Sequence, residues 1–270
     1  MGISPILIIE LLAMGCISGF LAGLLGIGGG MVLVPALTFL ATAKGFPADY
    51  VVKMAVATSL ATILFTSLSS VRAHHRRGAV RWDIVKLLAP GIVVGSLIGA
   101  QIAKLLSTKA LALAFAVFVS YSALQMFIDK KPKPSRQLPQ GPGMLGAGTL
   151  IGTLSALVGA GGGFISVPFM AWCNVPIHTA VATSAALGFP IALAGTIGYI
   201  YAGWNLQGAP SGSFGYLYLP ALALIAATSV IFAPVGARAA HRLNVKQLKR
   251  AFACLLFVLA AYMASKGFAA

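Results

Sequence analysis

Apolar runs follow one another along nearly the whole chain, most of them close to the 20 residues that cross a hydrocarbon core of about 30 Å. They cover approximately residues 5–25, 30–43, 48–71, 83–104, 108–128, 143–158, 163–174, 178–202, 214–240 and 246–267. The second and seventh are short. About 12 to 14 residues give roughly 20 Å of helix, too little to span comfortably. Each follows a glycine-rich break, "GIGGG" from Gly26 to Gly30 and "GAGGG" from Gly159 to Gly163. A Pro-rich, Lys-rich stretch at 129–142 reads as a polar linker between two membrane halves, 1–128 and 143–270.

The halves repeat. With an offset of 133, Gly15, Gly19 and Gly23 fall on Gly148, Gly152 and Ala156, and Gly26, Gly28, Gly29, Gly30 and Pro35 fall on Gly159, Gly161, Gly162, Gly163 and Pro168. "AVATS" at Ala55–Ser59 recurs at Ala180–Ser184, and "GAQIAKLLSTKAL" from Gly99 faces "GARAAHRLNVKQL" from Gly236. The pattern predicts an all-α polytopic membrane protein. Five segments per repeat is an odd number, so the two repeats are expected in inverted topology, each opening with a Gly-broken half or re-entrant helix.

Composition agrees: 59% of the 270 residues are hydrophobic and 9% charged, with a mean hydropathy of +0.95, far from a soluble domain. Nineteen bases against four acids give a net charge of +15. A nucleic-acid partner is not implied, because the bases lie in short clusters between apolar runs. Arg72, Arg76, Arg77 and Arg81 follow the third run, whereas its counterpart loop after the eighth carries no base. Placing the first loop in the cytoplasm also places Lys130, Lys131, Lys133 and Arg136 of the linker there, with Arg238, Arg242, Lys246, Lys249 and Arg250. Lys44, Lys53, Lys104, Lys109 and Lys266 then lie outside, as do both termini. The N-terminus has no basic region ahead of its apolar run, so the first run is expected to remain a membrane helix. Cys16, Cys173 and Cys254 have no metal-ligand spacing and read as small buried hydrophobes. Neither a metal nor a cofactor is implied.

Non-helical backbone at membrane depth is tolerated only inside protein or along a wet cavity, and three consecutive glycines break a helix rather than smooth one of its faces. The sites to expect are therefore Gly28, Gly29 and Gly30, and Gly161, Gly162 and Gly163. There the N-termini of two half-helices would present N–H groups and positive dipole ends to an anion near the midplane. The glycines at 15, 19, 23, 91, 95 and 99 fit close helix packing instead. "GLLGIGGG" lacks the Lys-Ser/Thr ending of a phosphate loop and follows no strand. Ser155 and Ser166 have no matching membrane histidine to make a hydrolase.

The paired "GxGGGxxxxP" breaks, the "AVATS" after each and the "GA...L" segment closing each half resemble the TauE/SafE family of sulfite and organosulfonate exporters, also called TSUP. The resemblance covers essentially the whole chain. It implies a carrier in the inner membrane for small sulfur-containing anions such as sulfite, thiosulfate, sulfoacetate or other organosulfonates, export being the direction to expect. It extends the site to Thr58 and Ser59 in the first half and Thr183 and Ser184 in the second, and Thr62, one helical turn after Thr58, joins it by its spacing. Thr66 continues the stripe begun by Thr58 and Thr62, which back-bonding to helix carbonyls would equally explain. Leu187 and Ile191 stand at the matching positions of the second half.

Gating or coupling candidates are Lys53 and His178, aligned at the starts of the third and eighth runs; Gln101 and Arg238, also aligned; and Glu10, the acid inside an apolar run. Interface snorkelling, solvation or topology accounts for them equally well. The partners implied are a small anion, the lipid bilayer and a coupling proton or sodium ion, and a homodimer is compatible with the pattern. A carrier has two rivals, an anion channel and a nontransporting subunit of a sulfur-metabolism complex. The topology makes a direct prediction. Single cysteines in the 201–218 loop are expected to react with an impermeant thiol reagent on intact cells, and ones in 129–142 only after permeabilisation. Labelling of both from one side would contradict the inversion.

Overall fold

The computed structural model describes residues 4–25, 29–128, 137–240 and 245–268. These form the helices α1 (Pro5–Leu25), α2 (Gly30–Ala43), α3 (Val51–His75), α4 (Trp82–Leu105), α5 (Thr108–Ile128), α6 (Pro142–Val158), α7 (Gly163–Trp172) and α8 (Ile177–Ala202). A two-stranded antiparallel hairpin of β1 (Ser213–Phe214) and β2 (Leu217–Tyr218) follows, then α9 (Leu219–Ala240) and α10 (Val245–Phe268). The protein is all-α and polytopic. Seven helices, α1, α3, α4, α5, α8, α9 and α10, are long and apolar enough to cross a membrane.

The other three are shorter: α2 has 14 residues, α6 has 17 and α7 has 10. At 1.5 Å per residue α7 is only about 15 Å long. The shortness of α6 has local causes. Pro142 occupies its first position, where a missing N–H costs nothing, and Gly159, at φ 69°, closes its last turn in the left-handed conformation.

The centre is built by α3 and α8. In α3, 83% of the membrane window is buried, and in α8 67%, against 28% in both α1 and α9. Around this pair, α1 lies along α9, α4 along α6, and α5 along α10. Glycine stripes permit the close approaches. A Cβ at Gly19 would stand 2.5 Å from the Ser229 backbone of α9, and one at Gly99 would stand 2.6 Å from the Thr153 carbonyl of α6. Outward faces carry Ile6, Ile9, Ile17, Val94, Val117, Ile197 and Val258, all exposed, as a lipid-facing surface requires.

Under the sequence repeat, α1 corresponds to α6 and α4 to α9, so the α1–α9 and α6–α4 pairs exchange while α3–α8 and α5–α10 map onto themselves. One pair departs from this equivalence. α8 packs tightly on α4, where a Cβ at Gly198 would meet that of Ala100 at 2.7 Å. Between α3 and α9 an apolar groove of about 580 Å³ remains, lined by Phe65, Leu219, Leu222, Ala226 and Val230 among others.

Candidate functional site

The two glycine breaks end in the same way. Gly29 caps α2 at φ 67° and Gly162 caps α7 at φ 74°, and neither helix has a side-chain cap. Left-handed backbone is open to glycine and strains residues with a Cβ. The first N–H groups of each helix therefore emerge without a local acceptor. Pro35 and Pro168 follow five residues after the helix starts at Gly30 and Gly163, inside both short helices.

The breaks also meet. A Cβ on Gly30 would collide with the Gly159 carbonyl oxygen and stand 3.1 Å from Ala160 Cα. At Gly159 it would stand 2.8 Å from Val34 of α2 and 3.1 Å from Val56 of α3. The first turn of α2 thus lies directly on the bend that ends α6. Ser59 fastens this junction from α3 by donating to the Gly159 carbonyl at 2.8 Å. Its repeat mate Ser184 instead shares a hydrogen bond of 2.7 Å with Ser166 of α7, which also donates to the Gly162 carbonyl.

The threonines of the two "AVATS" motifs perform one structural task twice. Thr58 Oγ1 accepts the Tyr218 N–H at 3.2 Å, and Thr183 Oγ1 accepts the Arg81 N–H at 3.1 Å. Tyr218 immediately precedes α9 and Arg81 immediately precedes α4, equivalent places in the repeat. Each threonine therefore staples the entry of a crossing helix to the centre. Thr62 donates to the Thr58 carbonyl, and Thr66 makes longer contacts to Thr62 and Ile63 carbonyls, so the stripe on α3 bonds its own helix.

A small cavity of about 10 Å³ adjoins Gly29, lined by Ser18, Thr62, Thr66 and Ser229 with Gly19, Ala22, Leu33 and Ile63. That is room for about one water molecule. At the repeat-equivalent positions the four hydroxyls are replaced by Ile151, Leu187 and Ile191 of the second repeat and Ile92 of the first. Ser18 and Ser229 were not singled out by sequence, because the Ser18–Ile151 and Ser229–Ile92 differences become informative only once four helices are seen to converge.

A sequence profile described as "Sulfite exporter TauE/SafE" matches residues 11–263. The chain belongs to this family. Among relatives, a "Probable membrane transporter protein" of Haemophilus influenzae is 37% identical over 93% of this chain and 96% of its own. One from Methanocaldococcus jannaschii is 30% identical over 96% and 94%, and "Probable membrane transporter protein YunE" of Bacillus subtilis is 30% identical over 72% and 78%. No solved structure matches significantly. The TauE/SafE chain is thus a multi-pass membrane transporter.

The charged candidates lie away from the glycine junction. Lys53 is buried, donates to the Lys104 carbonyl at 3.0 Å near the end of α4, and sits 5.8 Å from the Tyr216 ring centre. Burial raises the Tyr216 hydroxyl above its ordinary range. His178 is exposed at the start of α8. Gln101 donates to the Gly198 carbonyl at 3.4 Å, joining α4 to α8. Arg238 is exposed and reaches back to the Pro234 carbonyl. Glu10 pairs with Lys44 at 2.9 Å, both partly exposed. Gly28 and the linker bases lie outside the described residues. Among the described residues, no group of three His, Cys, Asp or Glu could hold a metal.

The threonine staples in this TauE/SafE protein lead to a stability prediction. Thr58→Val and Thr183→Val preserve volume but leave the Tyr218 or Arg81 N–H without its acceptor, an expected loss of about 1–3 kcal/mol. Unfolding in detergent should show both variants destabilised, with Thr58→Ser and Thr183→Ser close to the parent.

Proposed function

We propose that this transporter is a secondary carrier of small sulfur oxyanions, sulfite, thiosulfate or an organosulfonate, exported across the inner membrane by alternating access between two inverted repeats. The observation that carries the reading is the junction of the two breaks, where Gly30, just after left-handed Gly29, lies on the Gly159–Ala160 bend that leads to left-handed Gly162 and α7. Such helix N-termini offer N–H donors and positive dipole ends to an anion without a fixed full charge, so the ligand can also leave.

The exchange of α1–α9 with α6–α4 supports a two-fold-related pair of repeats, with 129–142 as the linker. The groove between α3 and α9, against the close α4–α8 contact, supports two halves caught in unlike conformations, as a rocking carrier requires. A cavity with room for one water beside Gly29 fits a closed state rather than an open pore. Glu10 is tied to Lys44 and partly exposed, a poor position for a central proton carrier.

Counterflow in proteoliposomes tests the proposal. The wild type is expected to exchange internal unlabelled sulfite for external labelled sulfite with saturation. Gly29→Val and Gly162→Val, shown by melting to be folded, should weaken binding by about tenfold to over a hundredfold, the effect of losing one charge-assisted hydrogen bond of about 1.5–3 kcal/mol. Full exchange in both folded variants would make the breaks packing devices.

A further inference from the structure

We propose that Ser155 is a direct ligand of the oxyanion at the tip of α7, and that Ile191 is the plug that closes this subsite; the proposal rests on the carrier reading above. Buried hydroxyls almost always have partners. Ser155 is fully buried, and its Oγ has none among the described residues. Nor is the hydroxyl occupied by its own helix, unlike those of Thr62, Ser166 and Ser229, which bond carbonyls four residues back. The Ser155 carbonyl already ends α6 by accepting the Gly159 and Ala160 N–H groups.

Its surroundings indicate what it awaits. Ser155 Oγ lies 3.0 Å from the point where a Cβ on Gly162 would stand. The N–H groups of Gly161, Gly162, Gly163 and Phe164 have no acceptor among the described residues, although all four residues are buried. The α7 tip thus collects one unoccupied hydroxyl, that of Ser155, and a run of amide donors, with no carboxylate among its neighbours. That is donor chemistry for an oxyanion and unsuited to a cation.

The space is filled from α8. Ile191 Cδ1 takes the position a Gly162 Cβ would need, and Ile151 Cγ2 stands 3.5 Å from it. Ile191 follows Pro190, which lies inside α8 and removes one of its backbone hydrogen bonds, so the helix can bend where the plug is attached. In the first repeat these two positions are Phe65 and Thr66. Gating by an aliphatic plug therefore belongs to the second repeat.

The test uses full-length protein in detergent, with sulfite as probe, reading both the melting temperature and the Kd by calorimetry. Ser155→Ala should melt no lower than the wild type without sulfite, since it deletes an unpartnered buried hydroxyl. It should nevertheless bind sulfite about tenfold or more weakly and lose most of the sulfite-induced stabilisation. Ser155→Thr should retain binding. Ile191→Ala should lower the apparent Kd by about threefold or more, because the competent state need no longer be reached by moving the plug. Ser155→Ala with wild-type affinity, or with a lowered melting temperature and an unchanged sulfite shift, overturns the ligand role. Ile191→Ala with an unchanged or higher Kd overturns the plug. If Gly29→Val and Gly162→Val still weaken binding in those cases, the carrier reading stands without this subsite; a wild type that binds none of sulfite, thiosulfate and sulfoacetate overturns both.

Discussion

A backbone that stops being helical in the middle of a bilayer must find partners for its exposed N–H and C=O groups, and this constraint organises the structure. Gly29 and Gly162 interrupt the chain in the left-handed conformation, and the groups they release cannot face lipid. The fold answers by bringing the two interruptions together between α3 and α8, the most deeply buried of the seven long helices. Ser59 takes one of the freed carbonyls, that of Gly159. The amides that begin α7 are left over, and in the function proposed above their donor capacity is what meets the anion.

The surrounding scaffold keeps those ends in place. Glycine stripes bring α1 onto α9 and α4 onto α6 closely enough that backbone meets backbone, an arrangement suited to a solvent that supplies no hydrophobic force between helices. Thr58 and Thr183 hold the chain entering α9 and α4 to the central pair. The repeats then diverge where function would need them to. Four hydroxyls line the cavity at the first tip, while at the second the positions equivalent to them are aliphatic and the serine Ser155 is buried without a partner among the described residues.

Much of this was legible in the sequence, because periodic apolar runs and tandem glycines are local signals. The breaks, the two shortest helices and the internal repeat follow from them. The run at 143–158 already matches α6, and the structure adds the cause of its length, Pro142 at its start and left-handed Gly159 at its end. Thr58 and Thr183 were recognised as paired, but their acceptor role depends on amides 160 and 102 residues away. The sequence showed Ser155 only as a nucleophile without a base, and Ile191 only as a missing threonine. Their meaning depends on Gly162, on another helix from each, and no spacing rule connects three helices.

The central claim is that the paired glycine tips hold an oxyanion. Selenite, a heavier analogue of sulfite, can be located by anomalous scattering at the selenium edge in crystals of the transporter. The account predicts a selenium site within hydrogen-bonding reach of the amides that open α2 or α7, lost in Gly162→Val. Selenium found only among the arginines of the 72–81 loop, with the tips unoccupied at saturating selenite, would contradict it.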